Sequence, residues 1–208
     1  MQPVVIVNLK TYKQGEKVVK LVKELEKASK KIIVGVQASD VYEVSKASKL
    51  KVFAQHVDAV EKGRHTGFIL PEAVKKDGAC GSFLNHSEHK LSFSVLKKSI
   101  VRCREVGLKT AVFAGSLVEA RRIERLGVDY LIYEPAELVG GNVSVSKAKP
   151  EIISKIVNAL SMKVLVGAGI KSKEDVKVAM DLGAGGIAVS SGVVKAKNPG
   201  KKLKELVE

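Results

Sequence analysis

What most constrains this 208-residue chain is a strict alternation of short apolar runs with longer amphipathic ones. The apolar runs are Val4–Asn8, Ile32–Val36, Val52–Gln55, Ala79–Asn85, Thr110–Phe113, Tyr130–Tyr133, Val164–Gly167 and Gly186–Ser190. They are too short for helices and rich in β-branched residues, so they read as strands. Helix-period patterning fills Glu16–Ser29, Val41–Ser48, Pro71–Lys76, Ser92–Glu105, Leu117–Arg125, Lys149–Leu160, Lys173–Leu182 and Lys201–Val207. Strands that are apolar throughout are buried on both faces, as in a parallel sheet covered by helices. Eight βα units in one chain fit a closed (β/α)8 barrel, with residues 1–208 as a single domain. A doubly wound open sheet is the alternative. Gly107, Gly127 and Gly183 follow helices four, five and seven, where a left-handed cap is wanted. The chain is short for a barrel, which typically needs about 250 residues. Its helices and loops must be trimmed, the second and third helices most of all.

The charge balance narrows the partners. Apolar residues make up 45% of the chain and aromatic ones only 4%, with no Trp, so the core must rest on Val, Ile, Leu and Ala. The formal net charge is +14. Lys17, Lys20, Lys23, Lys27, Lys30 and Lys31 recur at helical spacing among Glu16, Glu24 and Glu26, which is the pattern of a solvated face. Neither zinc-finger spacing nor an aromatic stacking platform accompanies the lysines, so nucleic-acid binding is not expected. No stretch is apolar enough and long enough to span a bilayer. No basic segment and apolar core precede Val4, so no signal peptide is expected and the expected location is cytoplasmic. Cys80 and Cys103 form no CxxC pair and read as two buried reduced thiols.

In a parallel barrel the chemistry stands at the C-terminal strand ends. Strand one ends in Asn8-Leu9-Lys10-Thr11-Tyr12, strand three in Gln55-His56-Val57-Asp58, and strand four in Asn85-His86-Ser87-Glu88. Strand six ends in Glu134, followed by Pro135, which has no N–H to continue a ladder. A carboxylate at the end of a buried strand, followed by a long loop with Gly140 and Gly141, is the setting of a base under a lid. Strands seven and eight end in Gly167-Ala168-Gly169-Ile170 and Ser190-Ser191-Gly192-Val193. Backbone N–H groups exposed at such turns suit a phosphate. Glu88 either caps the start of helix four or pairs with Lys10 across the mouth. His56 reads as a core or loop histidine, and His65 and His89 as exposed.

Taken together, Asn8 to Tyr12, Asn85 to Glu88, Tyr133-Glu134-Pro135 and Gly167 to Ile170 resemble triosephosphate isomerase, in its compact archaeal branch. Ser190 to Lys197, Ala54 to Asp58 and Val145 to Glu151 are similar to family segments too, and the resemblance runs from Val4 to about Pro199. It implies a TIM barrel that interconverts dihydroxyacetone phosphate and glyceraldehyde 3-phosphate without metal or organic cofactor, in glycolysis and gluconeogenesis. By that resemblance Glu134 is the base, His86 a neutral imidazole that polarises the carbonyl, and Lys10 a stabiliser of the enediolate and the phosphate. Asn8 and the Leu9 backbone line the site. The backbone around Val139 and Gly140, with Gly169, Ser190 and Ser191, holds the phosphate, and Pro135 to about Lys149 forms the lid. The resemblance also implies a homo-oligomer, dimer or tetramer, with the stretch from His56 to Gly67 entering a neighbouring subunit at Thr66. The chain departs from its relatives at Val112-Phe113-Ala114-Gly115, where they usually carry a Cys-containing turn. It departs again at Ala136 and at Ser190.

Two other readings stay open on the residues alone. One is a barrel enzyme acting on a different phosphorylated substrate, which the glycine turns would serve equally. The other is a non-catalytic barrel that binds a phosphorylated ligand or a partner. Lys10, His86 and Glu134 together argue against both.

Overall fold

The computed structural model describes residues 3–135, 150–167 and 169–207. Eight strands pair in chain order, each parallel to the next, and the last returns to the first. They are β1 Val4–Asn8, β2 Ile32–Val36, β3 Lys51–Ala54, β4 Gly81–Leu84, β5 Lys109–Ala114, β6 Tyr130–Tyr133, β7 Val164–Val166 and β8 Gly186–Val189. The closed barrel is therefore the architecture, and the open-sheet alternative falls. Closure depends on the β1–β8 seam, where Val5 sits beside Ile187 and Val7 beside Val189.

The period of two along each strand sorts the side chains into two cores. Ile6, Ile33, Phe53, Phe83, Phe113, Ile132 and Leu165 point inward and fill the barrel. Their neighbours, such as Val5, Val7, Val34 and Val36, point outward and meet the helices. Three of the five phenylalanines thus stand inside, with Phe53–Phe83 and Phe83–Phe113 ring centroids 6.0 and 5.7 Å apart. Glycines on other strands make room for them. A Cβ on Gly35 would lie 2.0 Å from the Phe83 ring, and one on Gly81 would lie 2.5 Å from the Phe53 ring.

The helices follow from their apolar stripes and their caps. Glu16–Ala28 buries Val18, Leu21, Val22 and Leu25, one face at helical spacing. It meets the final helix Pro199–Val207, where the Gly200 N–H donates to Glu24 Oε1 at 2.9 Å. Ser92 and Ser116 each cap a helix by accepting an N–H three residues on. Gly107 and Gly127 take the expected left-handed φ of 73° and 67°. Two short helical segments, Ala38–Asp40 and Ser191–Val194, stand in addition to the expected ones. No helix is long and apolar enough to cross a membrane among the described residues.

Element ends differ from the sequence reading by a residue or two, and one residue class is corrected. Cys80 is exposed rather than buried, because the fourth strand starts at Gly81 and leaves Cys80 on the lead-in from helix Pro71–Lys76. Cys103 is buried, and burial pushes its thiol up to about 12.

Candidate active site

Inward parity runs past the end of β1 from Ile6 to Asn8 and Lys10. Asn8 and Leu9 are buried. The Lys10 main chain takes a left-handed φ of 47°, rare for a residue with a side chain. Two bonds hold it there. Its N–H donates to Asn8 Oδ1 at 2.9 Å, and its carbonyl accepts from Gln55 Nε2 at 2.9 Å. Gln55, the inward residue two beyond Phe53, also donates to the Gly35 carbonyl at 3.2 Å. It was named in the sequence only as part of a strand end, yet it staples the ends of β1, β2 and β3. Alternation from Phe53 was the signal that could have singled it out. The Lys10 ammonium, nine-tenths buried, reaches Glu88 Oε1 at 2.6 Å. Of the two readings of Glu88, the ion pair with Lys10 is the observed one, and Ser92 caps the helix.

His86 follows Asn85, which also takes a left-handed φ, 61°. That turn re-aims the chain so that the buried imidazole faces the mouth. The Glu88 N–H donates to His86 Nδ1 at 3.1 Å. A ring nitrogen that accepts a main-chain N–H presents its lone pair there, which leaves Nε2 as the ring's donor. The ring packs edge-on against Phe113, centroids 4.7 Å apart. Phe113 thus packs beneath the imidazole.

Parity also brings Glu134 inward, two residues beyond Ile132 and four beyond Tyr130. Its N–H continues the ladder to the Ala114 carbonyl at 2.9 Å. Glu134 Oε2 lies 3.1 Å from His86 Nε2, both side chains about nine-tenths buried. The two atoms are not aligned for a hydrogen bond, and Oε2 has no hydrogen-bond partner among the described residues. Gly167 makes the space behind it, since a Cβ there would stand 3.3 Å from the Glu134 carboxylate.

The turns after β7 and β8 touch one another. Gly169 has a φ of 71°, and a Cβ on Gly192 would lie 3.0 Å from the Ile170 carbonyl. Ser190 precedes the Ser191–Val194 turn of helix, whose first N–H groups have no acceptor within that helix. Ser190 Oγ is buried and has no partner among the described residues. Val139 and Gly140, and the rest of the expected lid up to Lys149, lie outside the described residues.

A cavity of about 580 Å³ opens over this floor, lined by Asn8, Lys10, Tyr12, Gln55, His56, His86 and Glu88 among others. His56 stacks on His89 with centroids 4.3 Å apart and meets Asp58 Oδ1 at 3.3 Å. Burial lowers the His56 pKa and His89 adds to that, against the opposing bond from Asp58. His65 and His89 are exposed, as the sequence indicated.

Lys10 and His86 thus line one cavity at the C-terminal mouth of an eight-stranded parallel barrel, and the Glu134 carboxylate stands 3.1 Å from the imidazole. That is the layout of a barrel enzyme doing acid–base chemistry. The sequence model of the triosephosphate isomerase family matches residues 3–208. The triosephosphate isomerase of Thermoplasma volcanium is 42% identical over 98% of this chain and 99% of its own length. Those of Sulfurisphaera tokodaii and Methanocaldococcus jannaschii are 40% and 39% identical, over 99% and 98% of this chain and 94% and 98% of their own lengths. The chain belongs to the triosephosphate isomerase family.

Proposed function

We propose that this chain is an aldose–ketose isomerase that interconverts dihydroxyacetone phosphate and D-glyceraldehyde 3-phosphate. The observation that carries the reading is the Glu134 carboxylate. It is buried, unbonded at Oε2, and 3.1 Å from an imidazole Nε2 that bears a proton. Moving a proton between two carbons beside a carbonyl needs a base and a hydrogen-bond donor aimed at the oxygen. Glu134 removes the proton from one carbon and returns it to the other. The His86 Nε2–H donates to the substrate oxygen as charge develops there, and the Lys10 ammonium stabilises the enediolate and attracts the dianion. Asn8 and the Leu9 backbone line the pocket. Gly169, Ser190 and Ser191, with Val139 and Gly140 from the lid, hold the phosphate through backbone N–H groups. Anchoring the dianion away from the reacting carbons gives binding energy that is usable at the transition state. Closure of 135–149 excludes water from the enediolate. No metal or organic cofactor enters these steps.

The same reading makes residues 1–208 one catalytic domain, cytoplasmic, in glycolysis and gluconeogenesis, and working as a homodimer or homotetramer. Nucleic acid and membrane are not among its partners. The stretch 61–68 supports self-association, since all eight of its residues are exposed and no described element covers it. The test is isomerisation of glyceraldehyde 3-phosphate in a coupled assay, with a metal chelator present and inorganic phosphate as competitor. Turnover inhibited by phosphate and lowered roughly 10³-fold by Glu134→Gln is expected. No turnover by a folded protein would overturn the reading.

A further inference from the structure

We propose that Glu119, acting through Asn85, is a positioning residue that sets the aim of the His86 imidazole. The inference rests on the reading of His86 given above, and it reaches Glu119, which no motif in the sequence singled out. The Asn85 side chain is buried and makes three hydrogen bonds. Its Nδ2 donates to the Phe113 carbonyl and to Glu119 Oε1, both at 2.8 Å, and its Oδ1 accepts the Leu91 N–H at 3.1 Å. Glu119, from the first turn of helix Leu117–Glu124, accepts the Gly115 N–H at 2.7 Å on Oε2 and meets Lys90 Nζ at 2.7 Å on Oε1.

One carboxylate therefore grips both ends of a seven-residue loop, Asn85 at the start and Lys90 near the close, and ties them to the end of β5. Between those anchors stand His86 and Glu88, the partner of Lys10. Phe113, whose carbonyl Asn85 holds, is also the ring on which the imidazole rests. The left-handed φ of Asn85 needs such support, because a non-glycine residue at φ 61° is held there by its surroundings. Burial alone would push the Glu119 carboxyl up, but Lys90, the Gly115 N–H and Asn85 outweigh it and hold the group below the usual range. Glu119 is thus a carboxylate at neutral pH, the form this network of donors requires. It touches neither the cavity nor Glu134, so its effect on turnover must pass through the loop.

The experiment measures kcat, KM and phosphate inhibition for the full chain and for Glu119→Ala, Glu119→Gln and Asn85→Asp. It also records the ring-nitrogen NMR signals of 15N-labelled histidine. Asn85→Asp keeps the shape but replaces the Nδ2 donor by an oxygen facing Glu119. A displaced imidazole predicts kcat lower by roughly tenfold to a hundredfold in Glu119→Ala and Asn85→Asp. KM and phosphate inhibition should change less than kcat does, because the turns proposed to hold the phosphate, at Gly169 and at Ser190 and Ser191, lie outside this loop. The His86 signals should leave their wild-type positions in both, and Glu119→Gln, which keeps one acceptor oxygen, should fall between. Unmoved His86 signals, or a loss confined to melting temperature, would overturn the proposal. If Glu119→Ala does not fold, Lys90→Met removes one grip from the exposed side. It should lower kcat about threefold and move the same signals, and no movement would overturn the proposal equally. A wild-type chain without isomerase activity would defeat the functional reading alone, because the ring signals report the aim of His86 without turnover.

Discussion

The loop after β4 is braced by a buried side chain at its start, whereas the loop after β3 is tied chiefly near its two ends. In the first, Asn85, Lys90 and Leu91 are bonded to one another or to β5 through Glu119, and the functional side chains sit between the anchors. In the second, Asp58 and Ile69 bond twice, main chain at 2.9 Å and carboxylate at 2.7 Å, and the Val60 carbonyl accepts from Arg102 Nε at 3.0 Å. Beyond those ties residues 61–68 are all exposed, and Phe68 retains 55% of its accessible surface. Both loops leave the same rim of the same barrel. The difference shows how one scaffold separates two demands. A side chain that must hold an angle is braced from inside its own chain, and an exposed segment is tied chiefly at its base.

The comparison can be broken in several places. The largest effect belongs to the mouth: Lys10→Met should lower kcat/KM roughly a hundredfold, because a cation facing developing charge is lost. Steady-state kinetics checks this, and unchanged efficiency would mean that the Lys10–Glu88 pair is structural only. Next comes the exposed loop. Phe68→Glu should weaken self-association at least about tenfold, as expected for an aromatic anchor. Sedimentation over a dilution series reads the effect, and the loop after β4 should yield no such change when Lys90→Met is compared. Smaller again, Asp58→Ala removes the carboxylate that fixes the loop base. A loss of about 1–3 kcal/mol is expected, since the Ile69 N–H is left without its acceptor. Denaturant unfolding checks it.

The smallest effect is a pH dependence. The pKa of His56 is lowered from 6.5, chiefly by burial with His89 adding, against Asp58. The folded state therefore takes up this proton later than the unfolded chain does. The contribution is fully present above 6.5 and is lost as pH falls below it. Melting temperatures at about pH 7.5 and about pH 5 should differ more in the wild type than in His56→Asn. Equal differences would remove His56 as the cause.

The barrel was legible because burial on both faces leaves an unmistakable mark, a short apolar run, and because amphipathic stretches of helical period separate those runs. The ends were less so. Gly81 and Lys109 begin strands at points that hydrophobicity alone cannot fix. Lys10, His86 and Glu134 stood out as polar residues just past apolar runs, and the fold brings them to one mouth. Gln55, Asn85 and Glu119 did not stand out, for a physical reason. Their work is hydrogen bonding between strands that are far apart in sequence, and such pairings carry no period. Glu119 in particular reads as a solvated helix residue until the Asn85 side chain is seen against it. Exposure of Cys80 was missed for a related reason, since an apolar run does not announce where its strand begins.

The pairing of Gly35 with Phe83 and of Gly81 with Phe53 bears on how this interior can change over time. Bulk on one strand is matched by emptiness on another, so the glycine cannot grow while the ring facing it stays. Any lineage that enlarges position 35 must first have shrunk position 83, because the reverse order passes through a ring overlapping a methyl group. The route through sequence space is therefore directional. A barrel interior of this kind should diverge by paired exchanges between positions that face one another across it, while the outward-facing valines beside them wander one at a time.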